Sequence, residues 1–132
     1  MMPLSLKAGS CIFLEKPDKE SISHLWLLVT EPSGNPPEVV MVNLTTYREG
    51  VDTTVLLTDR DHSYIIHPTV VYYADARKTE VNFLYRLIAL DPKRLHEESC
   101  STELLKKVRN GLFKSEFTPR KIKKYCKEQL ED

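Results

Sequence analysis

Over roughly the first three-quarters of the chain, apolar residues come in short runs separated by turn formers, a β pattern and not a helical one. Residues 10–14 form the first run, after Gly9, and a polar loop, KPDKESIS, follows. Residues 24–30 (HLWLLVT) form the strongest run. Alternation sets His24, Trp26, Leu28 and Thr30 on one face and Leu25, Leu27 and Val29 on the other. Both faces are mostly apolar, which predicts a central strand, and EPSGNPP closes it with a dense cluster of turn residues. Further strands are predicted over 38–46, over 53–58 after the Arg48-Glu49-Gly50 turn, and over 69–74 (TVVYYA). In Tyr72-Tyr73, alternation sends one ring inward and the other outward, where it could stack on a base. Five or six short strands joined by Gly/Pro turns predict a small β-barrel or a strongly bent sheet.

Beyond residue 98 the period changes. Ser101 suits a helix N-cap, Glu103 complements the helix dipole, and Leu104, Leu105, Val108 and Leu112 share one face. Gly111 reads as the stop. Thr118 reads as the cap of a second helix with Pro119 at its first position, and Ile122, Tyr125, Cys126 and Leu130 as its apolar stripe. Residues 78–98 stay open between strand and helix: NFLYRLIAL fits either, and Asp91-Pro92 interrupts it. The predicted fold class is therefore α+β, with a β-barrel domain over 1–98 and a basic helical segment over 99–132.

The 132 residues, 41% hydrophobic and 29% charged, make one ordinary globular domain. No apolar run approaches the roughly 18–20 residues of a membrane span, so no membrane association is expected. The N-terminal MMPLSLKAGSC lacks an apolar secretory core. Three scattered cysteines, Cys11, Cys100 and Cys126, suit a reducing compartment and read as structural, so a cytoplasmic location is expected. The net charge of zero conceals a split: residues 104–127 hold nine basic residues against Glu116 alone. These are Lys106, Lys107, Arg109, Lys114, Arg120, Lys121, Lys123, Lys124 and Lys127. They read either as a solvated helix face or as a surface for nucleic-acid phosphates or an acidic protein partner.

The densest polar cluster is DRDHSYIIHP, residues 59–68. Three of the four histidines, His24, His62 and His67, fall in the β part, and histidine serves as both acid and base near neutral pH. Cleavage of a phosphodiester without metal needs a base for the 2′-hydroxyl, an acid for the leaving oxygen and a cation for the developing charge. Two of these histidines with Arg60 or Arg77 would meet that need. His62 and His67 stand five apart and converge only if the chain turns between them. The alternative is that they are structural residues at a corner. No H-E-x-x-H, C-x-x-C, phosphate-loop or G-x-S-x-G signature is present, and no metal or cofactor is expected.

A glycine before the first strand, a polar loop, the run HLWLLVT, then short strands and C-terminal helices resemble the PemK/MazF-like toxins over about residues 7–90. These are small SH3-like barrel proteins of bacterial toxin–antitoxin systems, and many of them cleave RNA without metal. Where that family opens its second strand with an arginine–proline pair, Ser23-His24 stands here. The resemblance implies an SH3-like barrel, a metal-independent endoribonuclease with His24 in the arginine's place, RNA as substrate, an antitoxin as partner and a homodimer covering the open sheet edge. The alternative is a non-catalytic binding module on the same small barrel.

Overall fold

The computed structural model describes residues 5–16 and 19–130. Five strands form one antiparallel sheet: β1 (Cys11–Lys16), β2 (Lys19–Leu28), β3 (Glu38–Thr46), β4 (Leu56–Leu57) and β5 (Thr69–Glu80). Their order is β1-β2-β3-β5-β4, curled into a half-barrel. Three helices follow, α1 (Val81–Leu90), α2 (Thr102–Lys114) and α3 (Arg120–Leu130), with a 3₁₀ turn over Pro92–Arg94. Of the polar loop read at 16–23, Pro17 and Asp18 lie outside the described residues, as do Met1 to Leu4. The rest of that loop from Lys19 onward belongs to β2.

Both faces of the sheet are buried, which is why the central runs are continuously apolar. On one face Leu25, Leu27, Val40, Val42 and Tyr73 pack against Leu104, Val108 and Leu112 of α2 and Ile122 and Cys126 of α3. On the other, Trp26, Leu28, Val39 and Met41 pack against Val81, Leu84 and Ile88 of α1. The basic helical segment thus shares the sheet's core. NFLYRLIAL resolves as helix because only that period aims Val81, Leu84 and Ile88 at one sheet face.

β5 runs six residues beyond the predicted strand end. Its polar tail is held by the ladder with β3, where Glu38 to Met41 pair with Glu80 to Arg77. Between Met41 and Asn43 the register shifts, so that residues 73–76 oppose a single β3 residue and the sheet bends there. Tyr73 is the inward tyrosine, its hydroxyl donating to the Val108 carbonyl at 2.8 Å. Tyr72 is only half-buried.

Two expectations about the helices need correction. Gly111 does not stop α2, which continues to Lys114. A side-chain methyl at Gly111 would overlap Val55 and the Tyr73 ring, so glycine is there for close packing. Thr118 does not cap α3; its hydroxyl donates to the Leu112 carbonyl at 2.8 Å and closes the end of α2. Ser101 caps α2 as read, accepting from the Leu104 amide at 3.1 Å.

The connection from α1 to α2 lies along the β1 edge. Leu95 bridges Ile12, the His96 amide donates to the Cys11 carbonyl at 2.9 Å, and the Cys100 amide donates to the Gly9 carbonyl at 2.8 Å. The Arg94 guanidinium adds bonds to the Phe13 carbonyl at 3.0 Å and the Glu15 carboxylate at 3.1 Å. The chain therefore covers its own β1 edge, and among the described residues the outermost strand on the other side is the two-residue β4. No described helix is long and apolar enough to cross a membrane.

Candidate functional site

A groove of about 270 Å³ opens where the middle of β2 and the end of β3 meet the loop before β5. Ser23 and His24 come from β2, Thr45 and Thr46 from β3, and Tyr64 and His67 from the loop. Leu44 and Ile65 form its floor and belong to the core, so the polar groups stand on a rigid base.

His24 is half-buried, and its Nδ1 lies 3.1 Å from the Leu44 carbonyl oxygen. A carbonyl can only accept, so Nδ1 carries the hydrogen. In the neutral ring Nε2 is then the nitrogen with a lone pair, the arrangement a general base needs. The more exposed His67 has its Nε2 3.1 Å from the Thr46 hydroxyl, across the β3–β5 pair in which Thr46 faces Thr69. Pro68 keeps His67 extended, and the Thr69 hydroxyl donates back to the His67 carbonyl at 2.9 Å.

His62 is placed elsewhere, which corrects its assignment to a shared catalytic site. A turn closed by the Ile65 amide on the His62 carbonyl, at 3.1 Å, sends the two ends of the segment apart. His67 goes to the groove and His62 into the protein, where it is only 2% exposed. The Tyr64 amide donates to its Nδ1 at 3.1 Å, which puts the hydrogen on Nε2, and Nε2 donates to the Glu98 carbonyl at 2.9 Å. Both ring nitrogens are occupied by backbone, so no lone pair is left for proton transfer. The His96 ring packs edge-on at 5.0 Å. Above it, the Ser63 hydroxyl and amide bind the Glu98 carboxylate, and the hydroxyl's hydrogen bond holds that carboxyl below its ordinary range.

The two arginines are not at the groove either. Arg77 lies on the face that packs α1, its guanidinium 4.9 Å from the Trp26 ring, a cation–π contact. Arg60 is exposed in the turn before His62 and is absent from the groove wall. The described lining of the groove includes no lysine or arginine. Two members of the basic helices also make bonds within the molecule: Arg109 donates to the Val29 carbonyl at 2.9 Å, and the exposed Lys107 pairs with Asp61 at 3.5 Å. Lys106, Lys114, Arg120, Lys121, Lys124 and Lys127 are exposed, and Lys123 is half-buried.

Sequence reading missed Ser23, Thr45 and Thr46 as groove residues. Thr46 reaches His67 only through the strand pairing, and the one hint was a Thr-Thr pair closing the run at 38–46. Among the described residues, no group of three or more His, Cys, Asp or Glu is placed to hold a metal ion. Comparison with protein-family models, with curated proteins and with solved structures returned no match to this chain.

Proposed function

We propose that this chain is a metal-independent endoribonuclease of the PemK/MazF-like toxin kind, built on an SH3-like small barrel, with its active site in the His24–His67 groove. One observation carries the reading: two histidines share a groove, and one of them has its proton fixed on Nδ1 by the Leu44 carbonyl. His24 Nε2 takes the proton of the ribose 2′-hydroxyl as that oxygen attacks the adjacent phosphorus. His67, protonated and oriented by Thr46, gives a proton to the departing 5′ oxygen, leaving a 2′,3′-cyclic phosphate and a free 5′-hydroxyl. With no arginine in the described lining, the imidazolium is the charge facing the phosphorane. Tyr64, 38% exposed at the rim, offers a face for a base. The exposed lysines of α2 and α3 hold RNA phosphates outside the groove or an acidic antitoxin partner. Such a protein works in the bacterial cytoplasm, and self-association would use the β4 edge.

A second reading, a binding module, is favoured by the same missing arginine, because a groove with little fixed charge can hold a nucleotide without cleaving it. Single-stranded RNA incubated with the protein in EDTA separates the two. The proposal expects cleavage that folded His24→Ala and His67→Ala each lose. Binding without cleavage by the parent would establish the module instead.

A further inference from the structure

The structure pairs two cysteines that lie 89 residues apart in the chain. Cys11 Sγ and Cys100 Sγ are 3.8 Å apart. Cys11 is fully buried at the start of β1, whereas Cys100 is partly exposed on the 95–101 connection that covers the β1 edge. Their backbones are tied on either side, by the His96 amide on the Cys11 carbonyl and the Cys100 amide on the Gly9 carbonyl. A disulfide needs a separation of about 2.05 Å, so the sulfurs, already in contact, have to close by about 1.8 Å. Cys126, the third cysteine, is buried against α3's own core contacts and has no sulfur partner among the described residues.

We infer that Cys11 and Cys100 are a reversible dithiol pair that a peroxide converts to an intramolecular disulfide, clasping the 95–101 connection to β1. The inference does not depend on the ribonuclease reading. Electrostatics favour Cys100 as the sulfur oxidised first. The side-chain contact between the two sulfurs lowers the pKa of Cys100, while that same contact and burial raise the pKa of Cys11. The Cys100 thiolate attacks hydrogen peroxide, the O–O bond breaks, and a sulfenic acid and hydroxide form. The Cys11 sulfur then attacks Cys100, the S–O bond breaks, and the sulfenic oxygen leaves as water with the Cys11 proton. In sum, two thiols and one peroxide give one disulfide and two waters. Glu98, whose carbonyl accepts from His62, lies on the same connection, so the disulfide locks the cover over that histidine.

The full-length chain is treated with hydrogen peroxide, its free thiols are blocked under denaturing conditions, and it is analysed by intact mass and peptide mapping. The expected product has lost two hydrogens, joins the Cys11 and Cys100 peptides within one chain and leaves Cys126 free. Dithiothreitol restores it. Its melting temperature rises by about 5 °C or more, because the bond closes a long loop. Cys126→Ser should behave as the parent, and Cys100→Ser, shown folded by circular dichroism, should form no internal disulfide. Three results would overturn the inference: both thiols remaining alkylatable, Cys100 passing to sulfinic acid with Cys11 still free, or a disulfide joining two chains. The parent chain alone decides among these if a variant fails to fold.

Discussion

Two histidines five residues apart, in one loop, meet opposite fates. His62 has both nitrogens bound by backbone, between the Tyr64 amide and the Glu98 carbonyl, and is nearly inaccessible. His67 stands in a groove with His24, which the Leu44 carbonyl holds in the tautomer that leaves Nε2 basic. The same residue type is structural where backbone groups take both ring nitrogens, and on the proposed reading it is reactive where the ring lines the groove. Counting histidines therefore says little about chemistry until each ring nitrogen has been assigned a partner.

The sharpest way to break this comparison is to truncate both kinds. His24→Ala and His67→Ala should each lower RNA cleavage by about 10²–10⁴-fold, the usual worth of a positioned acid or base. Each should cost less than about 1 kcal/mol of stability in urea unfolding, since neither ring is core. His62→Ala should do the reverse in kind. It leaves the Tyr64 amide and Glu98 carbonyl unpaired beside a cavity, so urea unfolding should show a loss of about 3 kcal/mol. A His62→Ala protein as stable as the parent would show that the buried bonds matter little.

A smaller effect is expected at Thr46. Thr46→Val keeps the strand but removes the hydroxyl beside His67, and cleavage should fall by about tenfold with melting unchanged. A drop as large as that of His67→Ala would mean that Thr46 itself touches the substrate.

The smallest effect concerns the cover over His62. The Ser63 hydroxyl keeps the Glu98 carboxyl below its ordinary range in the folded state. A depressed folded pKa adds stability at pH values above the unfolded one, about 4.3, which is lost as pH falls through the folded value. Ser63→Ala should flatten that part of the acid-unfolding profile while changing neutral-pH stability little. An unaltered profile would remove Glu98 from the account.

How much of this was legible in the sequence depends on whether the cause is local. Residues 38–46 read as a strand because an apolar run is bounded by turn formers, and β3 has those bounds. The polar tail of β5 was not legible, since Arg77 to Glu80 are strand only by pairing with β3. Gly111 reads locally as a stop, and only the approach of Tyr73 and Val55 from the sheet shows its real use. At the candidate site, His24 and His67 were visible as residues, but not their common groove, which depends on the middle of β2, the end of β3 and a loop meeting. The turn at 62–65 that parts His62 from His67 was conceivable, but its direction was not. Cys11 and Cys100 carried no signal, because the contact spans nearly the whole chain.

The comparison rests on where two protons sit, and nitrogen-resolved NMR of histidine-labelled protein at alkaline pH reads that directly. The account predicts His62 with its hydrogen on Nε2 and His24 with its hydrogen on Nδ1. A His24 ring with its hydrogen on Nε2 would leave the groove without its base and contradict the account.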